Sequence, residues 1–486
     1  MKKALLFFTI IIISLNIYTL ELMILHTNDH HGRLFNYWHE LNEVAGLAAR
    51  AEIIKQQTEN NENYLLLDAG DFNTGVYESL LYNAEPDIQA YNIIGYNAVT
   101  LGNHEFYGDL ARVKQQIEWA KFPMLSANIF DQENQLVAEP YTIFTMANGV
   151  KVAVLGLTTT HKTLASDFVI RDDVEAAQYF VPLLREEADV VIVLAHLGIY
   201  DLGEEELYGS IRLATHVPGI DLIVDGDTHT LLEEPLYVNG IPIVQAGDRG
   251  RYLGKAILNI DETTRAVSLT SWETVAMMRE YNDPPFEINE NVFDVIEVFR
   301  QRAISDGNVL LGKTERPFRR YNMNNRITAL GRVVCESFKL AAISYDAEVA
   351  ITVSGAIRGD ILPGEIRYSD VYNILPFRNH LVVLELPGTV LLEIITVSFL
   401  EKIDTSAFLQ YSNNVGIIQR PPNIVTPNLT GDEIQPDRIY KVVTTSFLAD
   451  GGGGYTQFEY AINRIDLEIT EDAAMADYIK NTEHFQ

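Results

Sequence analysis

The chain reads as two α/β units in series, a larger one followed by a smaller one. Its 486 residues exceed what a single core usually holds. From Glu21 to about Val275, short runs of Val, Ile and Leu end in polar, glycine-rich breaks and alternate with helix-like stretches. After REYNDPPFEINENVF the pattern changes and a new set of strand and helix signals begins.

The first unit rests on LMIL, YLLLDAGD, NAVTLGNHE, VKVAVLGLTT, ADVVIVLAHLG, IDLIVDGDTHT and IPIVQAGDRG. Unbroken runs of such residues suit strands covered on both faces. Between them lie helix-like stretches such as ELNEVAGLAARAEIIKQQ and DLARVKQQIEWA, so the unit is a layered α/β domain. The paired prolines of REYNDPPFEINENVF mark the exit. Helical periodicity resumes in NVFDVIEVFRQRAI and again from Arg326 to Ala342, the second of which reads as a connector helix. AEVAITVSG and RIYKVVTTSF supply later strands, and the glycine run Gly451 to Gly454 follows them. The expected division is an export signal over 1–20, a first domain over 21–275, a connector over 276–342 with its hinge helix at 326–342, and a second domain over 343–486.

Composition narrows the function. With 47% hydrophobic and 21% charged residues the chain is globular. A formal charge of −31 and a pI near 4.7 argue against a nucleic-acid surface, so an anionic ligand needs local arginines or metal ions. The N-terminal MKKALLFFTIIIISLNIYTL joins two lysines to an apolar run shorter than the ~20 residues of a spanning helix. It predicts export to the periplasm or the extracellular space, with no membrane span in the mature form. No small-x-small cleavage site is evident before Glu21, so a retained anchor is the alternative. Cys335 is the single cysteine, which excludes an internal disulfide and a lipid-modified N-terminal cysteine; in ALGRVVCESFKLAA it reads as a buried structural thiol.

The chemistry lies in what ends the first-domain strands. Asp29 and His31 follow LMILHTN, Asp71 ends YLLLDAGD, and Asn103 and His104 end AVTLGN. His196 ends VVIVLAH, and Asp227 and His229 end LIVDGD. Ligands of open α/β sheets bind outside the carboxyl ends of the strands, so five strand ends carrying oxygen or imidazole donors point to one place. A lone aspartate after a strand is ordinarily a turn or cap residue. Five turns choosing metal donors by chance is a poor account, and a two-metal site of the kind used for phosphate-ester hydrolysis follows.

In this order TNDHHG, GDFNTG, GNHEF, AHLG and GDTHT resemble the 5′-nucleotidase family of calcineurin-like metallophosphoesterases. SGAIRGDI, ILPFRNHLVVLELPG and FLADGGGGY resemble that family's C-terminal substrate-binding domain. The resemblance implies a four-layer αββα metallophosphoesterase domain joined by a connector helix to a smaller α/β domain. It implies two divalent ions, manganese or zinc. One would be held by Asp29, His31, Asp71 and His229, the other by Asp71, Asn103, His196 and Asp227, with Asp71 as the bridge. It further implies that His104 donates to the transferring phosphoryl group, Arg358 grips the substrate phosphate, and Phe447 and Phe408 sandwich the base. The implied activity is hydrolysis of nucleoside 5′-monophosphates by attack of a metal-bridging hydroxide. His26 and His30 receive no metal and read as structural or supporting residues.

Three positions depart from the family pattern. Tyr107 stands where GNHEFD places an aspartate beside the catalytic histidine, and Asp109, two residues on, is the candidate replacement. Asp227 replaces a usual metal-two histidine; three carboxylates around two cations favour a harder ion, manganese over zinc. Gly453 replaces the ribose-binding aspartate of GGDGY, which leaves the nucleoside open. The alternatives are a 2′,3′-cyclic nucleotide phosphodiesterase, a nucleotide-sugar or dinucleotide pyrophosphatase, and a nucleotide-binding surface protein that has lost turnover.

Overall fold

The computed structural model describes residues 19–39, 42–59, 61–73, 75–160, 167–200, 208–261, 263–280, 282–306, 308–420 and 424–482. The expected export signal lies outside the described residues except for its last two positions, where the first strand begins.

In the first unit, β1 (Thr19–Thr27), β2 (Tyr64–Asp68), β3 (Ala98–Thr100) and β4 (Met124–Leu125) pair in parallel. A second sheet contains β5 (Tyr141–Thr145), β6 (Lys151–Thr158), β7 (Val190–His196), β8 (Leu222–Val224), β9 (Leu236–Val238) and β10 (Ile241–Val244). The chain then returns to the first sheet through β11 (Tyr252–Asp261), antiparallel to β1, and β12 (Val267–Ala276). The sheet orders are β12-β11-β1-β2-β3-β4 and β9-β10-β8-β7-β6-β5.

The apolar runs are continuous because each central strand is covered twice, with alternate side chains going to opposite faces. In β1, Leu22 and Ile24 pack against the second sheet, while Met23 and Leu25 face helices. In β7, Ile192 and Leu194 meet the first sheet, and Val191 and Val193 face outward. Helices α1 (Leu47–Thr58), α2 (Glu85–Ile94) and α3 (Leu110–Trp119) cover the first sheet, and α4 (Asp173–Glu187) and α5 (Gly209–His216) cover the second. The result is the expected four-layer αββα stack. Local signals start the helices: Asp109 caps α3 by accepting from the Arg112 amide at 2.8 Å, and Asp172 caps α4 from Glu175 at 2.9 Å.

Beyond the first unit, α6 (Glu290–Ser305) packs Val292 and Ile296 back into the first core. The expected connector helix forms as α7 (Ala329–Ala341), but it is not a free-standing connector. Its apolar face, with Leu330, Val334, Cys335 and Phe338, is buried in the second core, which Leu311, Phe318 and Met323 ahead of the helix also join, so α7 is part of the second unit. That unit has a sheet of β13 (Val349–Val353), β14 (His380–Pro387), β15 (Leu409–Tyr411), β16 (Ile439–Thr445) and β17 (Asn463–Thr470), in the order β15-β13-β16-β14-β17. One face carries α7 with α9 (Glu471–Asn481), the other α8 (Gly388–Leu400). The units touch where the Tyr77 amide donates to Asn373 Oδ1 at 2.9 Å and where the Arg319 guanidinium lies 5.1 Å from the centre of the Trp38 ring. Among the described residues no helix is long and apolar enough to cross a membrane.

His26 is structural. It is fully buried in β1 and stacks on Trp272 at 5.5 Å, and burial pushes its pKa down to about 3, so the ring is neutral. Gly254 on β11 leaves room for it, since a methyl group there would lie 2.2 Å from His26 Nε2. Gly254→Ala is expected to cost about 1–3 kcal/mol through overpacking, read as a lower denaturant midpoint; an unchanged midpoint would show that the ring can move aside.

Candidate active site

Parallel strands from both sheets end at one edge, and their first turns carry the donors. Asp29 and His31 follow β1, Asp71 follows β2, Asn103 and His104 follow β3, His196 closes β7, and Asp227 and His229 follow β8. Five of these residues hold left-handed backbone: Asp29 (φ 51°), His31 (51°), Asp71 (54°), Asp227 (71°) and His229 (56°). Such conformations cost about 1–3 kcal/mol each and persist only when their surroundings fix them. Here the Asp29 amide donates to the Gly70 carbonyl and the His31 amide to the Asp71 carbonyl, both at 2.9 Å. Two glycines allow the close approach: a methyl on Gly102 would meet Asp71 Oδ1 at 2.2 Å, and one on Gly226 would meet His196 Nδ1 at 2.8 Å.

Buried acids form the second tier. Glu105, fully enclosed, accepts from the amides of Gly102 (2.7 Å), Asp71 (3.0 Å) and Asn73 (3.2 Å), tying the β2 turn to the β3 turn. Burial, reinforced by the Asp71 carboxylate, pushes its pKa up to about 8. Asp225 plays the same part below His196, accepting from Leu197, Gly198 and Gly226. Asp248 lies 3.3 Å from His229 Nδ1, and the Ala69 carbonyl lies 2.6 Å from His196 Nδ1. Each contact orients its ring with Nε2 toward the other donors, the usual support of a metal-binding histidine. Tyr200 donates to Asp227 Oδ2 at 2.5 Å.

The donors form three overlapping groups in which the ligand atoms all lie within 4.8 Å: Asp29, His31 and His229; His31, Asp71 and His104; and Asp29, Asp71 and His196. His196 Nε2 is 3.3 Å from Asp71 Oδ2 and 3.8 Å from Asp227 Oδ1, and His229 Nε2 is 3.3 Å from Asp29 Oδ1. Asp29, His31 and Asp71 each belong to two groups, and Asp71 Oδ2 has His196 Nε2 at 3.3 Å and His104 Nε2 at 3.7 Å. Buried carboxylates and imidazole nitrogens at this spacing fit a pair of divalent cations: oxygen and nitrogen donors of this mix suit zinc and manganese. Although burial opposes it, Asp248 and Asp29 raise the pKa of His229 to about 9.

A cavity of about 580 Å³ lies over these donors. Its first-domain wall includes Asn103, His104 and Arg249; its second-domain wall includes Arg358, Tyr372 and Phe377. Arg358 therefore shares a cavity with these donors, its guanidinium 5.6 Å from the centre of the Phe377 ring. His104 Nε2 stands 3.7 Å from Asp71 Oδ2. Asp109 is exposed and its carboxylate caps α3. The Tyr107 side chain lies outside the described residues. Phe408 corrects an expectation: it is fully buried in the second core, 5.0 Å from Phe399, and offers no ring face to a base. Phe447 is 46% exposed but is not part of the cavity wall, where Phe377 is the phenylalanine. Gly453 is left-handed at φ 66°.

A four-layer domain with these donors at its strand ends, followed by a second α/β domain, defines a two-domain metallophosphoesterase. The family model for calcineurin-like phosphoesterase matches residues 22–231, and that for the 5′-nucleotidase C-terminal domain matches 308–460. The 5′-nucleotidase of Vibrio cholerae is 31% identical over 95% of this chain and 90% of its own, and the protein UshA of Escherichia coli is 28% identical over 96% and 92%. The solved 5′-nucleotidase precursor of Thermus thermophilus aligns with a TM-score of 0.71 at 25% identity, covering 96% of this chain and 97% of that one. The chain belongs to the 5′-nucleotidase family and is a phosphoric ester hydrolase.

The residues that sequence reasoning missed are the supports: Glu105, Asp225, Asp248 and Tyr200. Glu105 and Asp225 stand inside the quoted GNHEF and LIVDGD, and their place beside the donors was the available signal. Glu105→Gln replaces a carboxyl group whose two oxygens accept from three backbone amides with a side-chain amide whose NH₂ faces backbone N–H groups. Metal affinity is expected to fall about 10–100-fold, measured by metal content after dialysis against graded chelator; wild-type retention would remove the supporting role.

Proposed function

We propose that the protein is an exported, two-metal phosphoesterase that hydrolyses nucleoside 5′-monophosphates to nucleoside and phosphate. The observation that carries this reading is the convergence of Asp29, His31, Asp71, Asn103, His196, Asp227 and His229 beneath a cavity whose opposite wall holds Arg358. When bound, two divalent ions supply Lewis acidity and an activated water at phosphorus. The chain's own groups do the rest. Arg358 pairs with two oxygens of the substrate phosphate through its planar fork. His104, partly exposed beside Asp71, donates to the phosphoryl oxygen on which charge grows. Asp109 is the remaining candidate for orienting His104; to serve it must give up the α3 cap.

Base recognition follows less directly. Phe447 is exposed, so in this reading it stacks on the base after the second domain turns relative to the first. The apolar N-terminal run supports export to the periplasm or beyond. The nucleotide relatives named above support the substrate class.

Phosphate release from AMP by residues 21–486 with manganese is the direct test. Release is expected from the wild type and is expected to vanish in Asp71→Asn, which loses the bridge; equal release from both would remove the two-metal reading. Manganese is favoured over zinc because Asp227 adds a third carboxylate. Activity profiles across metals should therefore shift toward zinc in Asp227→His, and superimposable profiles would remove that preference.

A further inference from the structure

Arg50, in α1, is among the largest fully buried side chains, and among the described residues no carboxylate pairs with it. Its three guanidinium nitrogens are engaged in another way. Nε donates to the Ala45 carbonyl at 2.8 Å, Nη2 to the carbonyls of Arg249 at 3.0 Å and Arg33 at 3.4 Å, and Nη1 to His30 Nδ1 at 2.5 Å. A guanidinium only donates, so His30 Nδ1 accepts and the ring proton sits on Nε2, 3.3 Å from Oδ1 of buried Asp87. The guanidinium lies against Gly250, where a methyl group would come within 1.9 Å of Arg50 Cζ. Burying such a group is costly unless its donors are matched, and matching them fixes the groups that accept.

Those acceptors lie in two turns that carry or orient metal donors. His30 stands between Asp29 and His31, and Arg33 follows two residues later. Arg249 is next to Asp248, which lies 3.3 Å from His229 Nδ1, and the Arg249 amide donates to the Asp29 carbonyl at 2.7 Å. Asn28 joins the same two turns: its Nδ2 donates to Asp29 Oδ2 at 2.7 Å and to the Gly247 carbonyl at 2.5 Å, and its Oδ1 accepts from the Ala246 amide at 3.0 Å. Asp29, His31 and Arg249 all hold left-handed backbone, at φ 51°, 51° and 52°, which persists only where the surroundings impose it. The donors assigned to the other ion are supported from elsewhere, His196 by the Ala69 carbonyl and Asp227 by Tyr200.

We infer that Arg50 is a positioning residue for one ion of the pair, the ion assigned to Asp29, His31, Asp71 and His229. By clamping the turn after β1 to the turn after β10, it holds Asp29 and His31 directly and His229 through Asp248, while leaving the donors of the second ion untouched. The inference rests on the proposed function for the division of donors between two ions.

The test counts manganese ions per chain after dialysis of the loaded protein against graded chelator, for wild type, Arg50→Lys and Gly250→Ala. A lysine keeps the charge, but one ammonium cannot meet four acceptors arranged around a planar fork. Wild type is expected to retain two ions. In Arg50→Lys one ion is expected to bind about 10–100-fold more weakly while the other keeps its wild-type midpoint. Gly250→Ala displaces the guanidinium without removing it, is expected to weaken the same single ion, and decides the matter if Arg50→Lys fails to fold by circular dichroism. In a His229→Ala background, which has already lost a donor of that ion, Arg50→Lys is expected to change the remaining ion not at all. Equal weakening of both ions in a folded variant, no weakening, or a further loss in the His229→Ala background overturns the inference. AMP turnover by the wild type separates the two readings. Two ions with selective loss but no turnover removes the nucleotidase and upholds the role of Arg50, turnover with equal loss of both ions removes that role alone, and a wild type holding a single ion removes both.

Discussion

Everything at the active edge depends on Asp71 being held in a left-handed turn with its carboxylate between two banks of imidazoles. A carboxylate there is surrounded by groups that want a cation: His196 on one side, His31 and His104 on the other, Asp29 close by. The turn would relax toward ordinary backbone if its amides were not claimed. Glu105 claims the Asp71 amide from the neighbouring strand end, and the Asp71 carbonyl in turn accepts from His31. Three strands are thereby locked to one another through buried hydrogen bonds, and the strain of five left-handed residues is carried by the sheet.

The four-layer stack makes this possible. Two sheets packed face to face bring the carboxyl ends of β1, β2 and β3 level with those of β7 and β8, so donors separated by some two hundred residues meet within a few ångströms. The second unit then closes the site by electrostatics as well as by shape. Carboxylates and imidazoles form the floor and arginines the wall, an arrangement of opposite charge across one cavity. Burial and the neighbouring Arg249, Arg320 and Arg33 disfavour the charge on Arg358.

Much of this was legible in the residue order. The strand runs and the recurrence of donors after successive strands defined a layered α/β domain with metal donors at its strand ends, because burial on both faces and metal coordination each restrict residue type strongly; the four-layer stack and the set of seven ligands were what the family resemblance implied. The supports were harder to see. Glu105 and Asp225 sit next to donors and share their chemistry, while Asp248 and Arg50 act through contacts made across the sheet. The α7 helix was visible by its periodicity, but its attachment to the second core was not, since periodicity reveals an apolar face and not what covers it.

The sequence alone determined that this is a two-unit α/β protein whose first unit gathers metal donors at its strand ends, because those patterns are local and periodic. Only the tertiary structure decided which aromatic ring is available to a ligand. Phe408 and Phe377 are equivalent as letters, yet one is sealed in a core and the other lies exposed beside Arg358. It also decided that arginines from residues 33, 249, 320 and 358 share one cavity. Burial and charge convergence are properties of how distant segments pack, and no local pattern along the chain encodes them.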